Sequence, residues 1–169
     1  MSTYVDIPHQ LLNTIQAAFG SSVFKTYFVG DPWLFAKDSL PAIVVQEVSD
    51  DTDTDATGLD KVTHTIIVKL VFNKRDDFGA SSTTDVTEEK IRGYVDGRVD
   101  ASGGISIASM YSPQTIKGIL RTNFSMGGEI VNQKLKTRYF LEHRPNELLT
   151  QQGTVTFTID ELVLVPNRT

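Results

Sequence analysis

Between Asp6 and Gly20 the apolar residues Leu11, Leu12, Ile15, Ala18 and Phe19 recur at steps of three and four, which predicts one amphipathic helix. Its punctuation agrees. Asp6 can accept bonds from the orphan amides, Pro8 suits the first turn because it has no amide to satisfy, and Gly20 suits a left-handed stop. Val23 to Val29, rich in aromatic and β-branched residues, predicts a short extended segment, and Gly30-Asp31-Pro32 a turn. After Leu40-Pro41, the run Ala42 to Val48 has the continuous apolar character of a strand covered on both faces, with its proline at the first position. Val62 to Phe72 alternates instead. Val62, Ile66, Val68, Leu70 and Phe72 share one face with His64. These two runs predict an antiparallel hairpin joined by a long polar loop, Ser49 to Asp60.

Further on, Asn73 to Thr84 reads as a loop and Asp85-x-x-Glu88 as a capping box, with Val86, Ile91, Tyr94, Val95 and Val99 at helical spacing behind it. Gly93 and Gly97 each cost this second helix about 1 kcal/mol relative to alanine unless close packing compensates. Ser102-Gly103-Gly104 ends it, and Ile105 to Tyr111 predicts a short strand. Thr115 to Phe124 fits both periods; its glycine and its threonine and asparagine residues favour a strand, with Ser125 to Gly128 as the connection to the next. Ile130 to Arg144 reads as one half-buried strand. Val131, Leu135, Tyr139 and Leu141 face inward, and Asn132, Lys134, Lys136, Arg138 and Glu142 form a basic outer face. Pro145 to Gly153 breaks the pattern before a last strand, Thr154 to Val165. The order of elements predicts an α+β fold: a mainly antiparallel sheet with helices packed on one face. No fixed-period repeat, low-complexity stretch or long linker divides residues 1–169, so a single domain is expected.

Composition narrows the chemistry. The 169 residues contain no cysteine, which excludes thiolate nucleophiles, Cys-ligated zinc, iron–sulfur clusters and disulfides. A chain of this length buries roughly 70% of its unfolded surface, so a core needs no such staple. The longest apolar runs, Ala42 to Val45 and Ile66 to Phe72, fall far short of the ~20 residues of a spanning helix, so no membrane segment is expected. Met1 to Asp6 lacks the basic start and apolar stretch of a secretory signal, and synthesis and folding in the cytoplasm are the expectation. Charge is unevenly spread. Up to Asp60 there are 9 acidic and 2 basic residues, and after it 12 acidic and 14 basic, giving −7 and +2. A dipolar surface of this kind favours self-association over free nucleic-acid binding, which draws its affinity from a clear basic excess.

Candidate catalytic signals are thin. Asp51-x-Asp53-x-Asp55 alternates carboxylates as a calcium loop does, but Ala56 stands where that loop needs glycine and Val62 where it needs its bidentate glutamate. His9, His64 and His143 are isolated from one another, and neither histidine–glutamate zinc motif occurs. Gly103-Gly104 and Gly127-Gly128 lack phosphate-cradling spacing and read as turns. Trp33, following Asp31-Pro32, is either an interface anchor or a core residue. No catalytic, cofactor-binding or metal-ligating residue is assigned.

The helix Pro8 to Phe19, the strand start Leu40-Pro41-Ala42-Ile43-Val44-Val45, the strand His64-Thr65-Ile66-Ile67-Val68, the helix Asp85 to Val99 and the strand ending Leu135-Lys136-Thr137-Arg138-Tyr139-Phe140 occur in an order that resembles the tail terminator, or tail completion, family of long-tailed bacteriophages. The resemblance covers roughly residues 5–145. It implies a non-enzymatic structural virion protein, without cofactor, that forms a homohexameric ring on the tail tube, stops its polymerisation and presents a surface to the neck for head-tail joining. The implied partners are copies of itself, the tail tube protein and a neck or head-completion protein, with DNA passing through the lumen. Residues 146–169 depart from the family pattern and read as a C-terminal strand extension, available to add to a neighbour's sheet. Head-to-tail rings need two complementary flanks. The acidic stretch with Asp50, Asp51, Asp53 and Asp55 and the basic strand with Lys134, Lys136 and Arg138 are the expected pair, the basic strand alternatively facing the lumen. Another neck or head-completion ring protein is the nearest alternative, and a small ligand-binding or hydrolytic α+β domain the alternative of a different class.

Overall fold

The computed structural model describes residues 6–54, 58–79, 86–97, 114–122, 125–126, 129–131 and 134–165. Helix α1, Ile7–Phe19, starts where its local signals place it: Asp6 accepts from the His9 amide at 3.4 Å, Pro8 lies in the first turn, and Gly20 follows the last residue with φ 68°. Strand β1, Thr26–Val29, runs parallel to β2, Ala42–Thr54. Strand β2 turns into the antiparallel β3, Leu59–Asn73, and a 3₁₀ turn, Lys74–Gly79, leads towards α2, Val86–Asp96. Helix α3, Ile116–Thr122, precedes the short strands β4, Ser125–Met126, and β5, Glu129–Val131. The last hairpin is β6, Lys136–Arg144, with β7, Leu148–Leu164.

The described strands form one sheet in the order β1-β2-β3-β7-β5-β4, with β6 also paired to β7. Helices α1, α2 and α3 cover one face. Leu11, Ile15 and Phe19 of α1, Ile91 and Val95 of α2, and Ile116 and Leu120 of α3 belong to one core with Ile43, Val45, Ile66, Val68, Leu70, Val155, Phe157 and Ile159 of the sheet. Phe24 anchors its aromatic part, with ring centroids 5.1 Å from Phe19 and 5.3 Å from Tyr94. Gly153 lets α2 approach β7 closely, because a Cβ there would collide with Ile91 Cγ2. On the opposite, outer face the β1–β2 connection folds back over the sheet, and Phe35 and Leu40 pack on Ala42, Val44, Val71 and Leu148. The α+β class, the helix-covered face and the two-sided burial of Ala42 to Val45 follow the expectation.

Four expectations are corrected. Ser49 to Asp60 is not a long loop: β2 continues to Thr54 and β3 begins at Leu59, with a bulge between Glu47 and Ser49, so the hairpin extends past the helices as an exposed ribbon. The stretch expected as a strand, Thr115 to Phe124, holds helix α3, Ile116–Thr122. Gly118 N donates to Thr115 Oγ1 at 3.0 Å, and Thr122 Oγ1 back to Gly118 O at 2.8 Å, so these threonines bond within the helix. Ile130 to Arg144 is two strands, β5 and β6. Finally, the described part of the expected 146–169 extension, residues 146–165, is no appendage. Strand β7 starts at Leu148, straight after a turn in which Asn146 and Glu147 take positive φ, and sits between β3 on one side and β5 and β6 on the other. A strand paired along both sides within its own sheet has no edge to lend to a neighbour. The expected cap Asp85, the strand Ile105 to Tyr111, Val99 and the Gly103-Gly104 and Gly127-Gly128 turns lie outside the described residues.

Candidate functional site

Strand β1 pairs with β2 only as far as Val29 opposite Val45, where Gly30 leaves the sheet after its amide donates to Val45 O at 2.8 Å. From Gln46 to Thr54 no described strand pairs with that side of β2. This stretch is the acidic one. Asp50, Asp51 and Asp53 are all exposed; Asp51 and Asp53 lie on the outer face, opposite Thr63 and Lys61, whereas Asp50 lies on the helix-covered face opposite His64. Asp55 lies outside the described residues. Lys61 does not neutralise Asp53, because it pairs with Asp160 across β7 at 3.1 Å. Asp160 also accepts from Thr63 Oγ1 at 2.8 Å; that bond first, and Lys61 with it, holds its carboxyl below the usual range.

The basic residues occupy the other side of the sheet. Strand β6 pairs with β7 along one side, and no described strand pairs with its other side. Lys136 and Arg138 are exposed on the outer face, and Lys134 is exposed just before the strand. Within the chain the fold therefore separates the predicted acids and bases, setting β3 and β7 between them. The side chains of Asp50, Asp51, Asp53, Lys136 and Arg138 make no ion pair among the described residues, although most charges around them do. An extended strand also spaces Asp51 and Asp53 by about 6.6 Å, unlike a calcium loop that folds back on its ion. No group of three potential ligands suited to a metal occurs among the described residues.

Two further clusters had no local sequence signal, because their members come from distant strands. His64 Nδ1 lies 2.6 Å from Glu47 Oε1 and Nε2 lies 2.8 Å from Glu161 Oε2, so one imidazole bridges β2, β3 and β7 where the ribbon leaves the helices. Burial alone would push its pKa down; the two carboxylates outweigh burial and hold it above the usual histidine value. On the outer face Arg144 donates to Asp31 at 3.1 and 3.3 Å and to Pro32 O at 2.9 Å, with its guanidinium carbon 4.7 Å over the Phe35 ring. Lys69 donates to Asp31 at 2.6 Å, and Gln152 donates to Glu142, a second partner of Arg144. This network pins the 30–41 connection to the sheet. Trp33, expected as anchor or core, is left 77% exposed, and Leu34 beside it 55%.

Between α2, α3 and β6 an open cavity of about 230 Å³ is lined by Arg92, Asp96, Lys117, Thr137 and Tyr139. Its charges are already paired: Arg92 with Glu88 at 2.6 Å, and Lys117 with Asp96 at 3.7 Å. His9 bonds Asp6 at 2.6 Å on α1 and His143 is exposed on β6, so the three histidines sit on separate elements. Among the described residues the geometry thus leaves exposed the two oppositely charged sides of the sheet, as well as the apolar side chains of Trp33 and Leu34. No known family model matches the chain, and no curated protein is similar enough in sequence to count as a relative.

Proposed function

We propose that this chain is a structural ring subunit that acts through self-association, as a bacteriophage tail terminator does, closing the head-proximal end of a tail tube and offering a surface for the neck. One observation carries the reading: among the described residues, Asp51 and Asp53 on one side of the sheet and Lys136 and Arg138 on the other make no ion pair, and no described strand pairs with either side. A subunit with two different complementary flanks assembles head to tail, and such contacts close into a ring when the rotation closes. The order of helices and strands that resembles the tail terminators supports the phage assignment. Charge steers and orients the contact, while apolar and backbone contacts supply most of its affinity.

Native mass measurement and negative-stain imaging of the purified chain test this reading, with a closed ring as the expected result. Replacing Lys134, Lys136 and Arg138 together by glutamate is expected to disperse the ring at physiological salt. An intact ring in that variant would remove the basic strand from the interface and place it on the lumen, where the same variant assembles but passes DNA abnormally.

A further inference from the structure

The geometry points to the mode of that contact: the free side of β6 in one copy pairs antiparallel with the free side of β2, Gln46 to Thr54, in the next, making the two sheets continuous. The inference rests on the self-association just proposed and adds the surface, the register and the partner strand. An exposed strand side presents a row of unpaired backbone donors and acceptors, the standard template for strand addition. Both stretches, Gln46 to Thr54 and Lys136 to Arg144, are nine residues long and have one side with which no described strand pairs.

Side chains select the register. In the sheet Asp51 and Asp53 of β2 and Lys136 and Arg138 of β6 all lie on the outer face, each pair two residues apart. A continuous sheet keeps its faces, so an antiparallel junction sets Asp51 opposite Arg138 and Asp53 opposite Lys136 at the cross-strand Cβ distance of about 5 Å. On the helix-covered side the same register brings Val48, the extra residue of the β2 bulge, beside Leu141. These residues are 54% and 55% exposed, large apolar side chains that each subunit leaves in water. Charge on one face and apolar contact on the other thus converge on one alignment. A one-residue slip would turn the acids away from the bases.

The stagger also favours closure. Within one subunit Lys136 is level with Gln46 through Ile67 and Thr156, whereas at the junction it faces Asp53, seven positions further along, one of them the bulge. That is a shift of about 20 Å across four strands about 19 Å wide, a tilt of about 45°, at the steep end of the range that closed sheets use.

The absence of cysteine makes the test direct. In the double variant Asp53→Cys with Lys136→Cys, oxidation is expected to give a covalent ladder of subunits. These positions lie on opposite sides of the sheet of one subunit, so a link between them joins two copies. The out-of-register pair Asp53→Cys with His143→Cys is expected to link about tenfold less, since a disulfide needs Cβ atoms about 4 Å apart. Reversing Asp51 and Asp53 to lysine is expected to weaken association about tenfold or more. Adding Lys136→Glu and Arg138→Glu is expected to restore it. Assembly by light scattering without an in-register ladder, or without rescue by the fourfold swap, overturns the strand junction and leaves the ring reading standing. A chain that stays monomeric at high concentration overturns both.

Discussion

Arg144 is 6% exposed at the end of β6, and it holds Asp31, Pro32 and Phe35 of a connection also held by Lys69 and by the packing of Phe35 and Leu40. Burying a guanidinium is tolerable only while its partners remain, because removing one side of such a pair leaves an uncompensated charge. Arg144→Ala or Asp31→Asn is therefore expected to cost about 3 kcal/mol, read from urea denaturation at neutral pH. A loss below about 1 kcal/mol would mean that the outer apolar cluster holds the connection unaided. The pH dependence has two arms. Burial pushes the Asp31 carboxyl up, but Arg144 and Lys69 outweigh it and hold it below the usual range, so its contribution is present above the ordinary carboxylate pKa and lost as pH falls through the lowered value. His64 works in the opposite direction. Its folded pKa lies above the unfolded one, so its contribution is complete below about pH 6.5 and fades as pH rises through the raised value. Denaturant midpoints measured from acid to mildly alkaline pH are expected to lose the alkaline decline in His64→Gln and part of the acid decline in Asp31→Asn. An unchanged alkaline limb in His64→Gln would show that the bridge across the three strands contributes nothing to stability.

Elements whose signals are local were legible, and those whose signals are distant were not. Helix α1 carries its own start and stop in Asp6, Pro8 and Gly20, so its bounds could be read within a residue. Helix α3 was misread because Ile116 and Leu120 satisfy both periods. Thr115, counted towards a strand, is the cap whose hydroxyl accepts from the Gly118 amide, and that role was the signal available. The outer half of β2 was misread because a ribbon solvated on both faces shows no apolar alternation. Its trace was polar: Asp51-Thr52-Asp53-Thr54 already alternates β-branched with acidic residues. The acids and bases were identified from charge alone, but their placement on two unpaired sides of one sheet needed the strand order, which no local pattern encodes. His64 shows the same limit: its face was legible, while Glu47 and Glu161 reach it from strands 17 and 97 residues away.

At the scale of the whole molecule, the last strand in sequence is the middle strand in space. Strand β7 pairs with β3 from Leu59 opposite Leu164 to Asn73 opposite Thr150, and with β6 from Lys136 opposite Thr156 to Arg144 opposite Leu148. It also contributes Val155, Phe157 and Ile159 to the core beneath the helices. The sheet therefore cannot close until the C-terminal part of the chain is in place, and much of its pairing joins residues far apart in sequence, an arrangement that slows folding. A chain cut after Gly153 keeps the β2–β3 hairpin and the pairing of Tyr139 to Arg144, but strips most of β3's second side and the β7 partners of Lys136, Thr137 and Arg138, while three buried core residues disappear. Losing even one large core side chain costs about 2–5 kcal/mol, against a total stability of about 5–15 kcal/mol for a domain. The truncated chain is expected to show no cooperative urea transition and no slowly exchanging amides in β3, whereas the intact chain shows both. A folded fragment with protected β3 amides would mean that β7 is an accessory strand after all, and the continuity of sheet from one charged side to the other, on which the proposed head-to-tail assembly depends, would fail with it.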